Sequence, residues 1–219
     1  MNTFLGFIMG PMVWISALIC IFGLLVKFIL IIKEVYEKER YLLSYITVRH
    51  SLRSIIAWLI PFYPRSTRMR PVYYGISYLF HVLLFLLPVF LMSHIVLINE
   101  SFNLSWPAMN DTAADILTIG VIFALVFFVL RRRFIPDVRF LTSFMDYILI
   151  LMVLLPFVTG FLAYHQVILY KWIVIAHVLS GEVLLIVIPF SRFSHMITAP
   201  LTRAYTGSEF GNIRHARDW

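Results

Sequence analysis

Disulfide-capable and charged residues are scarce in this sequence of 219 residues: it has one cysteine, Cys20, and 13% charged residues, where about 25% is usual in soluble domains. A lone cysteine within an apolar run excludes a disulfide-built fold. Apolar residues make up 61% of the chain, and a soluble domain of this size could not cover that much apolar surface. The same composition excludes a disordered chain. The sequence therefore predicts an integral membrane protein.

Five continuous apolar runs are long enough to cross a bilayer, whose core of about 30 Å takes about 20 helical residues. The runs show no alternation of apolar and polar residues, which favours helices over barrel strands. The first has no basic residue before it and no small-residue cleavage site, so we expect it to be retained. The predicted fold class is all-α, a five-helix membrane bundle forming a single domain over residues 1–219. The predicted helices cover residues 4–32, 72–98, 113–130, 141–164 and 172–190.

Positive charge is concentrated on one side of these helices. Of the 18 lysines and arginines, all but Lys27 and Lys171 lie between helices one and two, between helices three and four, or after helix five. These segments are on the same side of the membrane, and the positive-inside rule predicts that this side is cytoplasmic. The N-terminus is then outside. Basic residues next to apolar runs favour a membrane surface over nucleic acid as their partner. Loop 33–70 contains an amphipathic stretch expected to lie along the inner interface, and residues 196–219 are expected to form a polar cytoplasmic tail.

Four histidines on helices two and five are the candidate functional residues: His81, His94, His177 and His195. His94 and His177 each lie a few residues from the outer end of their helix, roughly 6–8 Å inside the outer boundary at about 1.5 Å per residue. His81 and His195 lie toward the cytoplasm. Because the two helices are antiparallel, depth matches His94 with His177 and His81 with His195. Facing imidazoles at two levels are what two stacked haems require.

Helical periodicity fits helix five more easily than helix two. The 18 residues from His177 to His195 return to the same face at 3.6 residues per turn. On an ideal helix the 13 residues from His81 to His94 turn the second side chain about 220° around the axis from the first, so the two would point in different directions. We therefore expect Pro88 to kink the helix or shift its register. Alternatively, single membrane histidines hydrogen-bond neighbouring helices or take part in proton relay and transport.

The last helix carries a motif that resembles a known family. Residues 188–195, Ile-Pro-Phe-Ser-Arg-Phe-Ser-His, followed by Ala-Pro-Leu at 199–201 and Arg-Ala-Tyr at 203–205, resemble the last-helix signature of the respiratory nitrate reductase gamma subunit family. Leu-Phe-His at 79–81, in helix two, resembles that family as well. In the family, helices two and five hold two b-type haems crosswise, and quinol reacts near the outer haem.

The resemblance implies a role for each histidine. His94 and His177 would ligate the iron of an outer b-type haem, and His81 and His195 that of an inner one. Menaquinone is a further candidate ligand. No residue is assigned to catalysis, because the chain would be an electron-transfer subunit of an oxidoreductase complex and not a complete enzyme.

Two departures from the nitrate reductase pattern, the wide histidine spacing in helix two and the long loop 33–70, point to a related branch. The chain is similar to the cytochrome b subunits of transmembrane redox complexes in sulfate reducers, above all the small b subunit of the high-molecular-weight cytochrome c complex. This resemblance implies a bacterial inner membrane and anaerobic respiration. It also implies a cytoplasmic iron–sulfur subunit, a periplasmic multihaem cytochrome c and further membrane subunits as partners.

Two other functions remain open at this level. A haem-free, quinone-binding membrane anchor would have the same topology. A small proton-coupled transporter would use the histidines and Glu182, the only carboxylate deep in helix five. Glu182 is interpreted as a proton relay from quinol, as a group that orients a haem ligand, or as a residue that pairs with a polar group on a neighbouring helix.

Overall fold

The computed structural model describes residues 6–167 and 169–219, and within these ranges the chain is helical and contains no strand. Five of its helices are long and apolar enough to span a membrane: Ile8–Lys38, Pro71–Phe90, Asp111–Phe134, Phe144–Tyr164 and Tyr170–Phe190. The predicted all-α fold with five spanning helices is therefore confirmed. The first two residues of the predicted helix 4–32 lie outside the described residues.

The helices are numbered in chain order. They are α1 (Val13–Lys38), α2 (Val48–Leu59), α3 (Arg65–Arg68), α4 (Pro71–Phe90), α5 (Met92–Phe102), α6 (Asp111–Phe134), α7 (Pro136–Phe140), α8 (Phe144–Tyr164), α9 (Tyr170–Val187) and α10 (His195–Ser208). Short π or 3₁₀ turns occupy Ile8–Met12, Arg40–Ser44, Ile188–Phe190, Arg192–Ser194 and Glu209–Ile213.

Predicted helix two, residues 72–98, is interrupted. It ends as α4 at Phe90, Leu91 is extended (φ −74°, ψ 131°), and the chain resumes as α5. Pro88 lies inside α4 and leaves the carbonyl one turn before it without an N–H donor, but the helix continues past it as far as Phe90. The expected distortion near Pro88 is thus found three residues further along, and the angle calculated for an ideal helix does not apply to His81 and His94.

Predicted helix five also ends differently from the expectation. Regular α9 stops at Val187, and extended Ser191 (φ −119°, ψ −173°) separates two 3₁₀ turns. His195 is the first residue of α10 and does not lie on α9. The prediction that His177 and His195 share one helical face therefore fails, because the chain is broken between them after Pro189.

The chain divides into two compact units, where a single domain was expected. Residues 76–181 form one unit, in which α6 packs against both α4 and α8. Phe80 meets Phe128 edge to face at 5.4 Å. A Cβ at Gly120 would lie 3.5 Å from Leu83, which is ordinary contact. Asp115 of α6 lies 3.0 Å from His165 at the end of α8.

Residues 1–75 and 182–219 form the second unit. In it, α1 packs against the Ile188–Phe190 turn at Gly23, where a Cβ would lie only 2.7 Å from the ring of Pro189. One turn later the Lys27 ammonium donates to the Pro189 carbonyl at 3.3 Å and to Ser194 Oγ at 2.6 Å. These contacts hold the broken segment between α9 and α10 against α1.

The segment 196–219, expected to be a polar tail, is mostly helical and folds back onto α2 of the same unit. Small side chains allow the close approach. Ser51 Oγ donates to the Ala204 carbonyl at 3.1 Å and lies 2.9 Å from Ser208 Oγ. A Cβ at Gly207 would overlap the side chain of Ser54. Here α2 and α10 form a tightly packed helix pair.

Candidate functional site

The imidazoles of His94 and His177 come together within the unit of residues 76–181. Their ring centres are 6.0 Å apart and their planes differ by 5°. His94 lies in the first turn of α5, directly after the break, and His177 lies in α9. The structure thus brings together His94 and His177, the two residues predicted to lie at the same depth near the outer ends of their helices.

Each of these rings is held by a hydrogen bond from Nδ1 to a backbone carbonyl. His94 Nδ1 lies 2.9 Å from the Pro88 carbonyl oxygen, and His177 Nδ1 lies 2.9 Å from that of Pro156 in α8. Neither Nε2 has a hydrogen-bond partner within residues 6–167 and 169–219. An Nδ1–H bonded to a carbonyl fixes the tautomer that leaves Nε2 with a lone pair, as is usual for metal-binding histidines.

The break after α4 supplies the carbonyl that holds His94. The last carbonyls of a helix lack intrahelical partners and must find other donors. Here Pro88 accepts from His94, Val89 from Trp106 Nε1 at 2.9 Å, and Phe90 from the backbone N–H of Met109 at 3.0 Å. The loop after α5 therefore folds back to satisfy this helix end, and the imidazole is part of the same arrangement.

Room for the His177 ring comes from Gly160 in α8. A Cβ at this position would lie 2.8 Å from Cε1 and 3.0 Å from Nδ1 of His177, closer than real Cβ contacts allow. Only glycine lets the α8 backbone approach the imidazole this closely. Pro156, one turn earlier, provides the carbonyl, so one face of α8 both receives and orients the imidazole.

The distance between the two ring centres has the length that a pair of axial metal ligands would need. Two imidazoles bound to one metal through Nε2 have ring centres about 6 Å apart, since each metal–nitrogen bond is about 2 Å and each ring centre lies about 1 Å beyond its nitrogen. The separation of 6.0 Å between His94 and His177 matches this value. Within the described residues no group of three or more His, Cys, Asp or Glu side chains could hold a metal ion, and an axial pair needs only two.

The other two candidate histidines belong to different units, and their pairing stays a prediction. His81 Nδ1 lies 2.6 Å from the Ser77 carbonyl within α4. His195 Nδ1 lies 2.9 Å from the Arg192 carbonyl at the start of α10. Each ring is thus oriented through Nδ1, as in the first pair, but by a carbonyl on its own local segment.

Glu182 is the most buried charged residue of the described chain, with 2% of its surface exposed. Neither carboxylate oxygen has a hydrogen-bond partner among the described residues. The sequence interpretation that pairs it with a polar neighbour therefore has no support. An unpaired buried carboxylate is costly, so a functional role for this group remains a hypothesis.

Sequence reasoning missed three contributors to the histidine pair: Pro156, Gly160 and Trp106. The sequence did contain one indication of Pro156 and Gly160, because in it a glycine lies four residues after a proline within a predicted spanning helix. Trp106 lies in a short loop rich in polar residues, where an interfacial anchor is the ordinary interpretation. Its hydrogen bond to Val89 depends on the break in helix two.

Comparisons with known proteins identify one relative over nearly the whole chain. A protein of Nitratidesulfovibrio vulgaris strain Hildenborough is 36% identical over 211 residues, which cover 94% of this chain and 92% of that protein. No model of a known protein family matches the chain. No solved structure matches it. At this identity and coverage, the chain belongs to the same family as the Nitratidesulfovibrio vulgaris protein.

Proposed function

We propose that this chain is a di-haem cytochrome b subunit of a respiratory redox complex in the bacterial inner membrane. It carries electrons between a periplasmic or quinone partner and a cytoplasmic iron–sulfur subunit. The observation that supports the proposal most directly is the parallel His94–His177 pair at 6.0 Å, with both Nδ1 atoms engaged by carbonyls.

His94 and His177 would hold the outer haem. The carbonyls of Pro88 and Pro156 orient the two rings, and Gly160 leaves space for the second ring. A bound haem supplies one-electron transfer, while the protein sets its potential through the ligands, their hydrogen bonds and burial. Such preorganised ligands keep the reorganisation of the protein small when the charge on the iron changes.

The inner haem, ligated by His81 and His195, is proposed from the resemblance to the nitrate reductase gamma subunit family. The menaquinone site is proposed on the same basis. The multihaem cytochrome c, the iron–sulfur partner and the further membrane subunits are proposed from the resemblance to the cytochrome b subunits of transmembrane redox complexes in sulfate reducers. Inner-membrane localisation is part of the proposal, and the five spanning helices with the one-sided positive charge of the sequence support it.

The haem count of the purified chain tests the proposal. We expect two b-type haems per chain in the wild type, and one in both His94→Ala and His177→Ala, with the same haem lost in each. His165→Ala is the matched control, because His165 also lies in residues 76–181 but pairs with Asp115; it should keep both haems. If His94→Ala and His177→Ala keep both haems, or lose different ones, the outer site is wrong.

The inner ligands need a separate measurement. His81→Ala and His195→Ala should each remove the second haem and leave the His94–His177 haem with an unchanged redox titration. Full haem content in His195→Ala would show that the inner ligand lies elsewhere.

The buried Glu182 gives a specific reason to test the transporter alternative. Liposomes containing only this chain would then take up protons together with a solute, and Glu182→Gln would abolish the uptake. A well-folded chain that lacks haem and shows no uptake would favour the quinone-binding anchor.

A further inference from the structure

A shallow cleft of about 430 Å³ lies in the unit of residues 1–75 and 182–219, outside the histidine pair. It lies where α2, α3 and the C-terminal segment meet. Its wall combines aromatic rings, two guanidinium groups and a hydroxyl, from Trp58, Phe210, Trp219, Arg65, Arg217 and Ser66. This combination suits a ligand that has an anionic end and an apolar end.

The charge of the cleft is not balanced by the protein. Neither Arg65 nor Arg217 has an ion-pair partner within residues 6–167 and 169–219. The cleft also includes Asp218. Its Oδ2 accepts from Ser54 Oγ at 2.5 Å and lies 3.8 Å from an Arg203 nitrogen, whereas its Oδ1 is buried and has no hydrogen-bond partner among the described residues. Two exposed guanidinium groups therefore remain for an anion, and phosphate matches their planar donors.

The cleft adjoins the beginning of a spanning helix. Met69 lines it, and α4, which is long and apolar enough to cross a membrane, begins at Pro71. The ring of Phe62 would lie 3.4 Å from a Cβ at Gly75, so the turn before α3 packs on the first turns of α4. A membrane core spanned by α4 would end near Pro71, so we infer that the cleft lies at the level of the lipid headgroups.

Helix α2 supplies a second indication of membrane contact. Its apolar residues at spacings of three and four form one stripe, and each is more than half exposed. They are Val48, Leu52, Ile56 and Leu59. The opposite side, with Ser51 and Ser54, packs on α10. A helix with this distribution lies in the plane of a membrane interface.

We propose that the cleft binds the phosphate of an anionic phospholipid in the leaflet predicted to be cytoplasmic. Arg65 and Arg217 contact the phosphate. The rings of Trp58, Phe210 and Trp219 each have a guanidinium group over one face, at 4.4–4.9 Å, and contact the glycerol and upper acyl chains with their remaining surface. The proposal is independent of haem binding. A soluble phosphate compound has the same anionic chemistry but no apolar end, so the two sources can be separated.

The test compares Arg65→Gln/Arg217→Gln with Arg68→Gln, which removes a charge from the same short helix but does not line the cleft. Native mass spectrometry of protein from nanodiscs of mixed phosphatidylglycerol and phosphatidylcholine counts the retained anionic lipid. We expect the double variant to bind phosphatidylglycerol roughly tenfold or more weakly than the wild type. Arg68→Gln should resemble the wild type, and Arg65→Lys/Arg217→Lys should recover part of the binding.

A thermal-shift measurement separates the sources of phosphate. Short-chain phosphatidylglycerol should raise the melting temperature of the wild type and of Arg68→Gln but not of the double variant, whereas inorganic phosphate and glycerol phosphate should have no effect. Equal lipid retention in the double variant and Arg68→Gln would overturn the proposal, as would equal stabilisation by inorganic phosphate. If the double variant does not fold, the single variant Arg217→Gln, in the exposed C-terminal segment, is measured in its place. It should bind phosphatidylglycerol more weakly than the wild type, and equal binding would overturn the proposal.

Discussion

The ring planes of His94 and His177 lie within 5° of parallel, and their centres are 6.0 Å apart. When two imidazoles bind one haem iron with parallel rings, their π orbitals interact with the same iron d orbital. The energy of this orbital then differs from that of the second d orbital of the pair. Perpendicular imidazoles leave the two orbitals nearly equal. The relative angle of the rings therefore has a direct spectroscopic consequence once haem is bound.

For the haem proposed at His94 and His177, we predict a rhombic low-spin electron paramagnetic resonance spectrum in the oxidised state, and not the single large-g feature of perpendicular ligands. The signal should disappear in both His94→Ala and His177→Ala and persist in His165→Ala. A large-g feature lost in those two variants would show that the rings rotate away from the parallel arrangement.

Gly160 offers a test of the space around His177. In Gly160→Ala the new methyl group would lie 2.8 Å from Cε1 of His177, so the ring must move and its hydrogen bond to Pro156 must lengthen. We expect loss of the outer haem and a destabilisation of about 1–3 kcal/mol from overpacking.

The control for this change is Gly120→Ala, in the same unit, where the methyl group would lie 3.5 Å from Leu83. It should keep full haem content and melt at or above the wild-type temperature. Haem spectra and thermal melts of the two variants, measured together, test whether the space at Gly160 is required for haem binding. Equal haem content in both would mean that Gly160 has no special role.

Trp106 tests whether the break after α4 positions His94. Trp106→Phe removes the donor to the Val89 carbonyl and leaves a helix end one hydrogen bond short, at a cost of about 1–3 kcal/mol. We expect a lower melting temperature and partial loss of the outer haem. Trp172→Phe is the control, because Trp172 is 66% exposed and its side chain has no hydrogen bond among the described residues. Identical melts for the two variants would contradict this role.

Lys27 tests the segment that leads to His195. Lys27→Met removes the bonds to the Pro189 carbonyl and Ser194 Oγ, which hold the break between α9 and α10. We expect a destabilisation of about 1–3 kcal/mol and selective loss of the haem assigned to His195.

In a redox titration the outer haem should be unaffected by this change. Lys33→Met is the matched control, because Lys33 is exposed and forms only a surface pair with Glu37; such pairs contribute little. If Lys27→Met instead removes the outer haem and spares the other, the assignment of His195 is wrong.

Composition and helix length were sufficient to predict the five spanning helices, because an apolar run of about 20 residues has few other stable structures. The pairing of His94 with His177 also followed from the sequence, because antiparallel helices match residues by depth. Pro88 even indicated where helix two departs from ideal geometry. Each of these inferences depends on distance along the chain and on little else.

Other features depend on contacts that distance along the chain does not encode. The extended backbone at Ser191, which places His195 on a new helix, depends on the packing of Gly23 and Lys27 against Pro189. The folding of residues 196–219 onto α2 depends on the match of small side chains between two segments far apart in sequence. Gly160 is significant only because His177 of another helix lies against it.

The satisfied helix end after Pro88 has a consequence for assembly. Its three carbonyls are bonded by His94, Trp106 and Met109, so straightening the helix would leave the N–H groups of Trp106 and Met109 without these acceptors. The hydrogen bonds of this helix end therefore orient the His94 imidazole. For the haem proposed above, the polypeptide and not the cofactor would then set the direction of one ligand ring.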